Sequence, residues 1–189
     1  RFLSTRTVGY DHIDLAYARK IGIHIGNATY ASESVADYTI MLILMALRKM
    51  KLILQSAVSQ DYSFDAVLGS NLKGKTLGVI GTGAIGQTLI RHIAGFGCRI
   101  LAYNPHPRKE MEQYVTYVDL NTLYQNSDII TLHVPLNDAT YHLLNEAAFA
   151  RMKPGVIIVN TARGPLIDNT ALIAAIESGK VGAAALDVV

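Results

Sequence analysis

The sequence predicts an α/β chain built on a doubly wound parallel sheet. Two observations carry this. From Thr76 onward, short runs rich in Val, Ile and Leu alternate with helical stretches, as in parallel strands covered on both faces. The first strand of that series also runs directly into a glycine-rich turn, Gly81-Thr82-Gly83-Ala84-Ile85-Gly86, that opens a helix.

Taken in order, residues 1–8 read as the end of a strand, 11–20 as a short helix closing at Gly22, and 23–25 as a short strand. Ser32 is placed to cap a long apolar helix reaching about Val58, with Glu33 and Asp37 near its positive end. Residues 59–73 are polar and loop-like. Then come strand Thr76–Ile80, helix 84–94, strand Arg99–Tyr103, a polar connection over 104–118, helix 120–125 and strand 128–134. Helix 145–152, strand Val156–Asn160, helix 169–178 capped by Asp168 and stopped by Gly179, and strand Val181–Leu186 complete the series. Parallel sheets bind ligands at the carboxyl ends of their strands, which directs attention to the loops after 80, 103, 134, 160 and 187.

Composition narrows the function. Half of the 189 residues are hydrophobic and 17% are charged, which excludes a disordered chain. A balance of 17 Lys+Arg against 15 Asp+Glu gives +2, without the clustered excess expected of a nucleic-acid binder. The single cysteine, Cys98, excludes a disulfide framework and a multi-cysteine metal site, so no metal centre is expected. The apolar run at 35–47 is short of the roughly 20 residues that span a bilayer, and Arg48, Lys49 and Lys51 follow it. It reads as a helix packed between domains or subunits, not as a membrane segment. Residues 1–10 hold no apolar signal, so a cytoplasmic location is expected. Starting at Arg1 and stopping at Val189 after a strand-like run, the chain reads as a piece of a longer protein.

The glycine turn carries the first chemistry. Gly81 permits the tight turn, Gly83 lets the backbone approach a pyrophosphate, and Gly86 lets the helix pack on the strand. The helix N-terminus then faces the phosphates, a Rossmann-type dinucleotide site. Where a carboxylate would hold the adenosine ribose, the second strand ends at Asn104, followed by His106, Arg108 and Lys109. Asn can bond a ribose hydroxyl but does not repel a 2′-phosphate, so the cofactor is NAD or NADP. In Asn160-Thr161-Ala162-Arg163-Gly164-Pro165, Arg163 stands at the carboxyl end of a buried strand. Its planar fork suits a carboxylate and can stabilise charge on a carbonyl oxygen. Asp168 reads as a helix cap and not as an acid. Among His12, His24, His92, His106, His133 and His142, only His133 sits at a strand's carboxyl end.

Several motifs run in order along the chain: residues 8–14 (VGYDHID), 34–37 (SVAD), Gly81 to Gly86, 133–136 (HVPL), 152–155 (MKPG), 160–164 (NTARG) and 185–188 (ALDV). On these the chain resembles the D-isomer-specific 2-hydroxyacid dehydrogenase family. Residues 38–46 and 95–98 are most like its D-lactate dehydrogenase branch, including the vancomycin-resistance type.

The resemblance implies a hydride transfer between NAD(P)H and a small D-2-hydroxy acid or 2-oxo acid, D-lactate and pyruvate foremost. It implies that residues 1–30 are the end of a flavodoxin-like substrate domain and 31–189 the NAD(P)-binding domain. Arg163 would bind the 2-oxo acid and polarise its carbonyl. Val8 and Gly9 would hold the substrate carboxylate, with Tyr30 nearby. Ala84, Ile85, Asn104, His133, Val134, Pro135, Thr140, Thr161, Ala162, Arg163 and Asp187 would line the cofactor together with the glycine turn. The helix from Ser32 would build a homodimer. The family's catalytic Glu and His would follow Val189. A nucleotide-sensing, corepressor-like module is the alternative from another class, and a dehydrogenase of glyoxylate, hydroxypyruvate or phosphoglycerate the alternative within the family.

Overall fold

The computed structural model describes residues 1–189 except 8, 11, 30 and 64–67. The chain divides into two compact units, Arg1–Ser32 and Glu33–Val189.

In the first unit, β1 (Phe2–Ser4) pairs in parallel with β2 (His24–Gly26), and α1 (Leu15–Lys20) connects them. The helix starts later than the sequence suggests because Asp14 caps it, accepting the Tyr17 N–H at 2.8 Å.

α2 (Ser32–Leu47) buries Ala36, Thr39, Ile43 and Leu47 along one face. The single helix expected to reach Val58 is in fact two. Lys49 adopts a left-handed backbone (φ 52°), and α3 (Met50–Val58) starts afresh after it. The break falls where burial stops: Leu47 is the last buried residue of α2, and α3 buries none. α2 leaves Tyr38 and Met41 exposed on its other side.

The sheet of the second unit comprises β3 (Thr76–Ile80), β4 (Arg99–Tyr103), β5 (Thr116–Tyr117), β6 (Ile129–Leu132), β7 (Val156–Asn160) and β8 (Val181–Leu186). Their order is β5-β4-β3-β6-β7-β8, and every pairing is parallel. This is the doubly wound order, reversing direction between β3 and β6, where such sheets open a crevice. β5 was read as loop. It adds an edge strand in a connection pinned by the buried Met111 and Val115.

Both faces are covered, so adjacent residues serve opposite cores: Ile158 packs with Leu123, Phe149 and Leu172, and Val159 with Ile43, Leu89 and Ile90. α5 (Leu120–Asn126), α6 (Glu146–Arg151) and α7 (Asn169–Glu177) supply the first layer, α2 and α4 (Ala84–Ile93) the second. At the amino edge, Asp128 accepts the Thr76 N–H at 2.7 Å and the Lys153 ammonium at 2.9 Å, joining the starts of β3 and β6. Burial alone would raise its carboxyl, but the Thr76 and Lys153 donors hold it below the usual range.

At the other edge the strand ends align. Tyr103, Ile80, Leu132, Asn160 and Leu186 form one row across five strands. The residues that leave this row are Asn104, Gly81, His133, Thr161 and Asp187. No helix among the described residues is long and apolar enough to cross a membrane.

Candidate functional site

The glycine turn is shaped by close approach. Gly81 has φ +100°, and a β-carbon there would strike the His133 carbonyl and Val134. At Gly86 a β-carbon would collide with the Gly81 carbonyl. Gly83 differs: a β-carbon would point into open space, at the N-terminus of α4, with Ala84 and Ile85 in the first turn. The space beside Gly83 at the helix N-terminus is therefore open, and phosphates there would be received by backbone N–H groups.

Asn104 is drawn inward. Its Oδ1 accepts the Thr82 N–H at 3.2 Å, and its Nδ2 donates to the His106 carbonyl at 2.6 Å. Tyr117 donates to Thr82 Oγ1 at 3.0 Å and accepts the Arg108 N–H at 3.1 Å, tying the basic loop to the glycine turn. Thr82 is fully buried. Neither Thr82 nor Tyr117 was singled out from sequence, since their partners lie 22 and 35 residues apart.

His133 follows β6. Its N–H donates to the Ile80 carbonyl at 2.7 Å, and its Nε2 lies 2.9 Å from the buried Thr131 hydroxyl. Burial pushes the imidazole down to about 4, although part of the residue keeps solvent access. It is neutral near pH 7 and so a poor store of a transferable proton. Val134 is half-buried and Pro135 exposed. Thr140 closes the loop after them, donating to the Pro135 carbonyl at 2.6 Å while its oxygen accepts the Asn137 N–H at 2.9 Å.

The loop after β7 hangs on Asn160, which is fully buried. Its Nδ2 donates to the Arg163 carbonyl at 2.8 Å and its Oδ1 accepts the Ala162 N–H at 3.0 Å. Its backbone carbonyl accepts the Asp187 N–H at 2.9 Å, bringing β8's exit to the same place. Arg163 is half-buried and donates one Nη1–H to the Ala162 carbonyl at 2.7 Å. A short 3₁₀ turn, Gly164–Leu166, follows, and Asp168 caps α7 through the Thr170 and Ala171 N–H groups at 3.0 and 3.2 Å, as the sequence suggests. His142 donates its N–H to the Pro165 carbonyl, and Leu144 and Asp168 bond the same stretch, so the Thr140 and Arg163 loops are stitched together.

The structure thus gathers Gly81–Gly86, Asn104, His133–Pro135, Thr140, Thr161–Arg163 and Asp187 on the loops leaving one edge of one sheet. Gly9 lies in the first unit, where its carbonyl accepts the Thr7 hydroxyl at 2.7 Å. Val8 and Tyr30 lie outside the described residues. Among the described residues no group of His, Cys, Asp or Glu could hold a metal.

Residues 40–189 match the family described as D-isomer specific 2-hydroxyacid dehydrogenase, NAD binding domain. The chain belongs to this family. It is 47% identical over 188 residues to a D-specific alpha-keto acid dehydrogenase of Enterococcus faecium, covering 100% of this chain and 57% of that protein. It is 42% identical over 190 residues to the D-lactate dehydrogenase of Escherichia coli (strain K12), covering 100% and 58%. It superposes with a TM-score of 0.95 on D-lactate dehydrogenase from Aquifex aeolicus, solved with NAD and lactic acid, at 39% identity and covering 100% of this chain and 57% of that one. The chain therefore spans a little over half the length of these relatives.

As a family member it carries the NAD-binding domain. The residues present fit a dinucleotide: the open space at Gly83, at the N-terminus of α4, and the loops leaving the strand ends lie at the crevice between β3 and β6. Sequence reading also passed over Asn160. It was quoted within the motif around Arg163, but its buried amide is what shapes that loop.

Proposed function

We propose that this chain is the cofactor half of an NAD(P)-dependent oxidoreductase that interconverts a small 2-oxo acid and its D-2-hydroxy acid, D-lactate and pyruvate foremost. Residues 1–30 close its substrate domain in this reading. The observation that carries it is the Asn160 brace, which holds Arg163 half-buried beside the exits of β6 and β8. A guanidinium placed there offers N–H donors to a carboxylate or to a carbonyl oxygen gaining charge. When bound, the nicotinamide supplies or accepts the hydride. The chain's part is to receive the pyrophosphate at Gly83 and α4, to frame the nucleotide with Asn104, Val134, Pro135, Thr140, Thr161, Ala162 and Asp187, and to polarise the substrate through Arg163. His133, neutral near pH 7, is not the proton donor in this reading; the resemblance gives that role to a histidine after Val189.

The decisive experiment follows NADH and NADPH oxidation by the full protein with pyruvate, glyoxylate and hydroxypyruvate. Turnover of pyruvate with the highest kcat/KM supports the lactate assignment, preference for another 2-oxo acid moves it within the family, and no turnover with any of them defeats the enzyme reading in favour of a nucleotide-sensing module.

We also propose a homodimer through α2. Ile40, Met41, Leu44, Met45, Met50 and Phe96 line an open, largely apolar groove that Arg48 also borders. Asp37 and His92 also line it, with Oδ1 and Nδ1 2.7 Å apart. An apolar face of this kind is commonly covered by a partner. Light scattering of the full protein, with a monomer mass for Leu44→Glu and a dimer mass for the parent, is the expected result.

A further inference from the structure

Thr39 lies on the buried face of α2 with none of its surface exposed. Its hydroxyl oxygen is 2.7 Å from the Val35 carbonyl oxygen and 2.9 Å from Thr161 Oγ1. A bond from a threonine to the carbonyl four residues back is ordinary within a helix. The second contact is not local: it joins residues 122 apart, from a helix to the first residue of the loop that holds Arg163.

The proton inventory orients the pair. A carbonyl only accepts, and a threonine hydroxyl has one proton to give. Thr39 spends its proton on Val35, so Thr161 is the donor to Thr39. The one Thr161 proton is then directed at α2, and the hydroxyl can meet anything else in the site only as an acceptor. Asn160 fixes the same loop from within through Ala162 and Arg163. The loop is thus held at two points, by Asn160 inside it and by Thr39 from the opposite layer.

We propose that Thr39 is a positioning residue for the dinucleotide site. It makes Thr161 an acceptor for a donor group on the bound dinucleotide and sets the Thr161–Arg163 stretch in register with α2. This rests on the reading above that Thr161 lines the cofactor.

The test uses the full protein and two readouts, the nicotinamide fluorescence of bound NADH without substrate, and steady-state kinetics. Thr39→Val keeps the branched shape and removes the hydroxyl. It is expected to weaken NADH binding about fivefold and to lower kcat by a similar factor, with KM for the 2-oxo acid within about twofold, the size of one lost hydrogen bond. Thr39→Ser keeps the hydroxyl and recovers most of both losses. Thr161→Val loses at least as much as Thr39→Val, since it also removes the acceptor itself, and adding Thr39→Val to it costs little more. Should Thr39→Val fold poorly, Thr161→Val against Thr161→Ser gives the same comparison from the loop side. The proposal is overturned if Ser is as poor as Val at either position, or if the two losses add in full. NADH binding that responds as described in a protein turning over no 2-oxo acid would defeat the enzyme reading and leave the Thr39 proposal standing.

Discussion

The Asn160 side-chain amide donates to the Arg163 carbonyl at 2.8 Å while its oxygen accepts the Ala162 N–H at 3.0 Å. One buried side chain therefore binds a backbone carbonyl and a backbone N–H of the turn that carries the guanidinium. Asn160→Ala leaves both without that partner. A stability loss of about 2 kcal/mol is expected, read as a lower midpoint in urea, together with at least a tenfold fall in kcat. Unchanged kcat in a destabilised variant would show that the brace serves folding alone.

Arg163→Lys keeps the charge and loses the planar fork. A fall in kcat/KM of roughly a hundredfold, about 3 kcal/mol, is expected, with NADH affinity within about twofold. Equal losses in activity and in NADH binding would place Arg163 among the structural residues.

The two glycines that shape the phosphate turn should fail differently. Gly83→Val places its side chain in the open space at the helix N-terminus, so the fold survives and NADH binding is lost. Gly86→Ala drives a methyl group into the Gly81 carbonyl, so the melting temperature falls along with binding. Titration with NADH and a thermal melt on each variant separate the two outcomes.

Asn104→Asp keeps the acceptor for the Thr82 N–H and replaces the donor to the His106 carbonyl with negative charge. A carboxylate there repels a 2′-phosphate, so the ratio of NADPH to NADH affinity should drop about tenfold, or about 1.4 kcal/mol. An unchanged ratio would mean that the ribose is read elsewhere.

His133 gives a pH signature. An ordinary histidine takes its proton near 6.5, whereas burial holds His133 down to about 4. Between these values the unfolded chain binds a proton that the folded chain does not. Stability should therefore fall as pH drops from 6.5 toward 4, by about 1.4 kcal/mol per unit and at most about 3 kcal/mol in all. His133→Gln should flatten that part of the profile of melting temperature against pH.

Much of the site was legible because it hangs on strand ends, and a strand end is where a Val/Ile/Leu run stops. Gly81, Asn104 and His133 were chosen that way and Thr161 and Asp187 on the family resemblance, and all five leave one row of the sheet. What stayed hidden depends on partners far away in sequence. The helix break at Lys49 has no Gly or Pro to announce it; it falls where the buried face of α2 runs out. The two-residue strand β5 is too short to show a period. The Thr82–Tyr117 and Thr39–Thr161 contacts, 35 and 122 residues apart, leave no local mark.

The amino edge of the sheet offers a different opportunity. Asp128 joins the starts of β3 and β6 there, at the far ends of the strands from the glycine turn and Arg163. The Asp128 contacts and the loops of the candidate site thus lie at opposite ends of the same strands. If the proposed function holds, changes that strengthen the Asp128–Lys153 pair leave every residue of the candidate nucleotide site as it is.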